Sequence, residues 1–522
     1  MNRTRGSAVA GVSVASGFAG LLTGVAGAVT ALAALAGLPL FMVMAGASAL
    51  AFRLHDSPLN RLAPKVLDEQ FAGSPVLVTI PLFTALGYVL AESRAPQRIV
   101  DASRVLFGWL PGGLALVCLS ASAFFTTLTG GSGVTIVAIG GLLLPTLRKQ
   151  GYSESFSLGL VTTGGSLGLL FPPSLPILVY SLVAGLEFNT AFKAGLLPGL
   201  LVMALMALYA AVVALREGVT RERLATANPI RWVLSAEVRR SVWLLKWELA
   251  IPVVILGGLG SGLMSLDESA ACALVFTVLV SLFVHRDLQW RQLPGILKQA
   301  FALAGAVIVI LMMANSLMNF VIDAQVPAKV LETLIGLGLT ERWQFLVVLN
   351  VFLFVIGMVM DGFSAILVAV PLVLPVAARF GLHPFHLAII FILNLELAFS
   401  APPLGLNLFI ASFRFQRPVT SLYRSVLPFV GLLTLSLLVV TAVPSLSTRL
   451  VQSDIDAARA DAEKRGVPPR EAWNLECVQL DALNPQPCSE AEKVKYAAPD
   501  AGSDDDADDA LMREMMQGAP TP

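Results

Sequence analysis

Two pairs of adjacent prolines interrupt apolar stretches of the chain, in Phe171-Pro172-Pro173-Ser174 and in Ala401-Pro402-Pro403-Leu404. Proline lacks an N–H and its ring clashes with the carbonyl one turn earlier, so a pair cannot sit in a regular helix. Carbonyls before the break lose their partners, and in hydrocarbon each bare oxygen costs several kcal/mol. Clustered carbonyl and hydroxyl oxygens suit a dehydrated Na+. The half-helix beginning after the break offers free N–H groups to an anion. A single such break is usually a kink satisfied by its neighbours; two matched breaks favour a site.

A second pair of stretches is rich in small residues. Thr126-Thr127-Leu128-Thr129-Gly130-Gly131-Ser132-Gly133 precedes Pro145, and Met360-Asp361-Gly362-Phe363-Ser364 precedes Pro375. Only about twelve apolar residues follow each before the proline, too few to cross a bilayer, so re-entrant hairpins are expected. Each stretch alone could equally be a small-residue helix contact. Asp361 and Glu396 lie in apolar surroundings, where a charge costs at least ~2.5–3.5 kcal/mol. Asp361 suits Na+ ligation. Glu396 is either a site residue or a partner for a serine or backbone N–H. His383 and His386 read as interfacial residues rather than a metal pair, since no third ligand is near. Cys118 and Cys272 read as small core residues. Cys477 and Cys488 either pair in an oxidising compartment or stay free.

The elements that would position these residues are membrane helices. Of 522 residues, 56% are hydrophobic and 13% charged, about half the usual charged share, and mean hydropathy is +0.77. Apolar runs near 20 residues are expected to span at 8–34, 38–53, 74–92, 107–128, 195–215, 248–264, 268–284, 299–322, 343–360 and 425–443. Trp109, Trp232, Trp243, Trp247, Trp290 and Trp343 lie near span ends, as interfacial anchors do. With no net charge and no phosphate-binding G-x-x-x-x-G-K-[ST], a nucleic-acid binder and an ATP-driven pump are excluded. No credible catalytic constellation is present, so the chain reads as a non-enzyme.

Pro145, Gly151, Pro172-Pro173 and Pro198 coincide with Pro375, Gly381, Pro402-Pro403 and Pro428 at an offset of 230, the mark of an internal repeat. Arg148 and Lys149 place one loop inside, and Arg414, Arg417 and Arg424 place a non-equivalent loop inside, which makes the copies inverted. The expected organisation is an anchor at 1–36 and a first half at 37–215, with hairpin 1 near 129–148 and a broken helix near 154–185. A basic cytoplasmic linker at 216–247 follows. The second half covers 248–443, with hairpin 2 near 361–378 and a broken helix near 387–413. An acidic, periplasmic, partly disordered tail completes the chain at 444–522.

From Gly37-Leu38-Pro39 to Phe429 the chain resembles the large membrane subunit of tripartite ATP-independent periplasmic (TRAP) transporters. Ile80-Pro81-Leu82-Phe83, Leu110-Pro111-Gly112-Gly113-Leu114, Leu169-Leu170-Phe171-Pro172-Pro173-Ser174, Gly357-Met358-Val359-Met360-Asp361 and Ala401-Pro402-Pro403-Leu404-Gly405-Leu406-Asn407-Leu408-Phe409 carry the resemblance, the last following Asn394-Leu395-Glu396. The resemblance implies an all-α polytopic membrane protein with an inverted-repeat, elevator-type ion transporter fold, two re-entrant hairpins and two broken helices. It implies Na+-coupled uptake of a small organic acid across the bacterial inner membrane. A periplasmic binding protein delivers the cargo, and a small four-helix membrane subunit braces the large one. One Na+ would be held by Ser132, Gly168, Phe171 and Pro173. The other would be held by Asp361, Ala398, Ala401 and Pro403, the last three placed by the repeat offset. Gly131, Ser132, Gly133, Ser174, Ser364 and Asn407 are the residues expected against the substrate. Val134 stands where the family's first hairpin usually has proline. The alternative is an ion-coupled anion carrier of the same architecture that needs no binding protein.

Overall fold

The computed structural model describes residues 75–107, 112–218, 236–323 and 341–454, with a few isolated positions besides. The expected anchor at 1–36, the spans at 8–34 and 38–53, most of the acidic tail, and Cys477 with Cys488 lie outside the described residues. Among those described, all regular structure is helical.

The first half contains α1 (Pro75–Glu92), α2 (Ala95–Phe107), α3 (Gly113–Thr129), α4 (132–149), α5 (Glu154–Gly164), a 3-10 turn (Leu167–Leu170), α6 (Leu175–Ala184) and α7 (Phe188–Arg216). The second half contains α8 (Ala236–Gly260), α9 (Leu266–Leu279), α10 (Leu293–Asp323), α11 (Arg342–Val359), α12 (Gly362–Arg379), α13 (Pro384–Ser400), α14 (Leu406–Phe415), α15 (Val419–Ala442) and the short α16 (Ser445–Thr448). α4 is a composite, with a π segment at Ile136–Gly140 between two α segments.

The repeat extends to whole elements. Helix α4 at 132–149 and α12 at 362–379 differ by 230 at both ends, and α5 and α13 start at 154 and 384. α3 with α11, α6 with α14 and α7 with α15 match within one residue at their starts. Gly151 and Gly381, each in the turn after its hairpin limb, have φ of 100° and 67°, a region glycine enters without a Cβ penalty. Both diproline bonds are cis.

Ion pairs show which ends meet. Arg417 lies 2.5 Å from Glu154, Arg148 lies 3.5 Å from the same carboxylate, and the Ser153 N–H donates to Glu217 at 2.9 Å. At the other end His386 pairs with Ser447 at 3.1 Å and Lys193 with Asp454 at 2.5 Å. The broken helix 154–184 bends by 44°, so its two ends stay far apart. The loop after α14 therefore lies beside the start of α5. Its repeat equivalent, the loop after α6, lies at the opposite end.

Four described helices are long and apolar enough to cross a membrane (Phe188–Arg216, Leu266–Val284, Leu293–Ile310 and Val419–Ala442), and the bent pair in the first half adds a fifth. α13 is buried along its whole length, which is why it carries apolar residues on every face and no continuous polar stripe. α1 packs on α3, α9 and α10, α6 packs on α12, and α14 packs on the start of α4.

Within 216–247 the chain is helical from Ala236, where Val242, Trp243, Leu244 and Leu245 begin the apolar stretch of α8. α4 carries Pro145 inside it and runs on to Lys149, 18 residues or about 27 Å at 1.5 Å each. Two expectations are corrected. The hydrophilic tail does not begin at 444, because Ser447 and Val451 are buried. Cys272 is exposed whereas Cys118 is buried, since an apolar run in a membrane protein can face lipid as readily as core.

Candidate functional site

Hairpin 1 turns between α3 and α4 at Gly130-Gly131. Gly130 has φ of 66°, and its N–H closes the helix by donating to Thr126 O. A Cβ at Gly130 would lie 2.8 Å from the Leu175 side chain, so the tip is pressed against the start of α6, beside Ser174. Ser174 is buried, and its hydroxyl donates to Leu169 O.

The tip also reaches the second half. Ser132 Oγ donates to Asn407 Oδ1 at 2.8 Å, and Asn407 Nδ2 donates to Ser400 Oγ at 3.3 Å. All three side chains are buried. A Cβ at Gly133 would lie 2.5 Å from Ile410 Cδ1, so this glycine lets α14 lie close against α4. Gly131 turns toward Val134 instead.

Beneath the tip, hydroxyls gather at the first helix break. Thr126 Oγ1 donates to Gly165 O at 2.7 Å and lies 2.6 Å from Thr135 Oγ1. Thr127 Oγ1 lies 2.8 Å from Ala123 O and 3.1 Å from Gly168 O. Gly168 packs so tightly on α3 that a Cβ would collide with Ala123 O and come 2.6 Å from Thr127 N. Among the described residues, no donor reaches the carbonyl oxygens of Phe171 and Pro173. The first expected Na+ set therefore comprises Ser132, two open carbonyls, and a Gly168 carbonyl that already accepts from the Phe171 N–H at 3.2 Å and lies within reach of Thr127 Oγ1. All are hard oxygen donors, which fits a hard cation.

The second set is arranged differently. Ala398 O accepts from the Ala401 N–H at 3.3 Å, Ala401 O from the Gly405 N–H at 3.0 Å, and Pro403 O from Tyr423 Oη at 2.9 Å. Each carbonyl keeps one lone pair for a cation. Asp361 is exposed and caps α12, accepting from the N–H groups of Phe363 and Ser364 at 3.2 and 3.3 Å and from Ser364 Oγ. Hairpin 2 does lie on α13: a Cβ at Gly357 would be 2.8 Å from Ala398 Cβ, and one at Gly362 would be 3.0 Å from the Phe399 ring. Among the described residues, no hydrogen bond joins Ser364 and Asp361 to the Ser132–Asn407 group.

Sequence reasoning singled out neither Thr126, Thr127 and Thr135 as site residues nor Ser400. The available signal was the hydroxyls within about one turn of Gly130-Gly131, and Ser400 two residues before Pro402. Glu396 is fully buried, and neither carboxylate oxygen has a partner among the described residues; the serine or N–H partner weighed for it is absent there. Gly164-Gly165-Ser166-Leu167-Gly168 has the spacing of a nucleophile elbow, yet Ser166 is fully buried and its hydroxyl donates to Thr163 O at 3.1 Å. His383 caps α13 through the Phe385 N–H at 3.3 Å.

Away from the tip, Arg98 bridges the buried carboxylates of Glu248 and Asp287, each at 2.5 Å, and His285 lies 3.9 Å from Glu248. Burial and the Arg98 charge lower the His285 pKa below its usual value, with Glu248 and Asp287 opposing. This cluster ties α2 to α8 and to the loop after α9.

Residues 23–446 match the profile of the family described as "Tripartite ATP-independent periplasmic transporter, DctM component". The chain is 33% identical over 371 residues to the isethionate TRAP transporter permease protein DctMQ of Oleidesulfovibrio alaskensis, covering 71% of this chain and 57% of that protein. It is 32% identical to the C4-dicarboxylate TRAP transporter large permease protein DctM of Pseudomonas aeruginosa, over 72% of this chain and 86% of the relative. The DctM protein of Vibrio cholerae is 30% identical over 79% of this chain and 94% of its own length. A solved structure of the YdaH transporter of Alcanivorax borkumensis is similar at a TM-score of 0.49 and 15% identity, over 73% and 88% of the two chains.

Proposed function

The chain belongs to the DctM family of tripartite ATP-independent periplasmic transporters, and from that premise we propose that it carries a small organic acid across the bacterial inner membrane by Na+ symport. A periplasmic binding protein delivers the acid, and a small four-helix membrane subunit braces this one. Relatives are named for isethionate, C4-dicarboxylates and ectoine, so the cargo class is a small polar molecule, here taken as an anion.

The observation that carries the reading is the tip of hairpin 1. Ser132, Asn407 and Ser400 form one buried polar chain between the two halves, and the same tip rests on a helix break with open carbonyl oxygens. Na+ held by Ser132, Gly168, Phe171 and Pro173 would neutralise those oxygens and draw the anion to the free N–H groups at the starts of α6 and α14. Asp361, Ala398, Ala401 and Pro403 would hold the second ion. Gly131, Gly133, Ser174 and Ser364 complete the walls of the substrate position.

The ends joined by Arg417–Glu154 fit an inverted-topology repeat, in which hairpins and broken helices move as one body past a scaffold of α1, α2, α8, α9 and α10. The test is uptake into proteoliposomes under an inward Na+ gradient, with and without a cognate periplasmic binding protein. Uptake requiring both supports the proposal. Equal uptake with K+ replacing Na+ rejects the coupling ion. Equal uptake without the binding protein favours the carrier that acts alone.

A further inference from the structure

A cavity of about 770 Å³ opens between the α1–α2 turn, the outer limb of hairpin 1 and α14. That volume lies in the range of small-molecule sites. One end begins at Gly133, next to Ser132. The other reaches Arg94 and Arg414, toward the end of the molecule that carries Arg148 and Arg417. Val134, Val137 and Ile410 supply apolar wall between them.

Arg414 is held in place. Its Nε–H donates to Val137 O at 3.2 Å, and its Nη2 lies 2.5 Å from where a Cβ at Gly141 would be. The lack of a side chain at Gly141 leaves room for the guanidinium against α4. The repeat equivalent of Arg414 is Ala184, so this cation belongs to one end of the molecule only. Glu92 lines the same cavity, and its charge set against Arg94 and Arg414 leaves one net positive charge. Guanidinium groups match carboxylate and sulfonate geometry through paired N–H donors.

We propose that this cavity is a release-side site for the cargo's anionic group, in which Arg94 and Arg414 hold the carboxylate or sulfonate before it leaves on the basic face. This rests on the transport reading above and adds a second anion position to it, at the far end of a cavity whose near end is the hairpin tip. The apolar walls accept the short carbon chain while the two arginines take the charge.

The test uses the full chain in nanodiscs, titrated with succinate, isethionate and uncharged succinamide while the unfolding temperature is read. Both anions are expected to raise it, and succinamide is not. Arg94→Gln and Arg414→Gln should each raise the half-saturating anion concentration about tenfold, the equivalent of one charged contact, and Arg414→Lys should recover most of it. Val137→Trp fills the cavity and leaves both arginines, and it should abolish the response even if a glutamine variant fails to fold. An unchanged half-saturating concentration in the Arg94→Gln/Arg414→Gln double variant overturns the proposal, as does a response to succinamide equal to that of succinate. Na+-dependent uptake is read on the same preparations. Wild-type uptake with an unaltered anion response in the double variant removes the cavity site and leaves the transport reading standing. No Na+-dependent uptake by the wild type removes the transport reading, and this inference with it.

Discussion

Ser132 and Asn407 are hydrogen-bonded at 2.8 Å across 275 residues, and the pair occurs once. Their repeat equivalents are Gly362 and Ile177, which carry no polar side-chain atoms. The two halves share a backbone plan but not this polar pair, so the buried polar chain lies toward the tip of hairpin 1.

Asn407→Ala removes two buried hydrogen bonds and leaves Ser132 and Ser400 without that partner. A loss of about 1–3 kcal/mol is expected for the desolvated groups, read as a lower unfolding temperature in detergent, with uptake reduced beyond what the lost protein explains. Ser132→Ala combined with Asn407→Ala should cost less than the sum of the single variants. Additive costs would show that the pair contributes nothing.

Asp361 combines a cap with a charge, and two substitutions separate them. Asp361→Asn retains an N-cap acceptor, so stability should change little while the apparent Na+ affinity falls. Asp361→Ala should lose the same affinity and about 1 kcal/mol of stability as well. Unchanged Na+ dependence in both variants takes this residue out of the ion site.

Gly168 and Thr127 hold the first break against α3. Gly168→Ala drives a methyl group into backbone on two sides and should cost about 1–3 kcal/mol as an overpacked contact. Thr127→Val keeps the shape and removes the hydroxyl within reach of Gly168 O, so its effect should fall on Na+ affinity more than on folding. A Thr127→Val protein with wild-type Na+ dependence would place the ion elsewhere.

Arg98 keeps two buried carboxylates neutralised. Arg98→Ala strands both, and a loss of about 3–5 kcal/mol is expected from an uncompensated buried charge. The neighbouring His285 has a lowered pKa, so the unfolded chain binds its proton more readily than the native one. That difference weakens the native state as pH falls through the ordinary histidine range near 6.5, and it vanishes above that range. His285→Gln should flatten this part of the pH–stability curve, measured by unfolding between pH 5 and 7.5 at constant salt.

The breaks, the hairpin turns and the repeat were legible because proline and glycine act on their own few residues whatever surrounds them. Pro172-Pro173 and Pro402-Pro403 break their helices in the fold, and Gly151 and Gly381 turn the chain. Pro145 does not break its helix, because a proline can be carried within a helix beside a π segment, as α4 does. Partners across the fold were not legible. Nothing local marks Asn407 for Ser132, Thr127 for Gly168, or Arg98 for Glu248, since each pairing depends on which helices become neighbours. Cys272 shows the same limit: an apolar run does not reveal whether it faces lipid or protein.

The central claim, that an alkali ion enters together with the cargo, is tested most directly by following ²²Na+ and a labelled organic acid in the same proteoliposomes. Adding cargo-loaded binding protein should start both fluxes at once and in a fixed ratio, and Asp361→Asn should slow both together. Entry of the acid with no accompanying ²²Na+ would contradict the account.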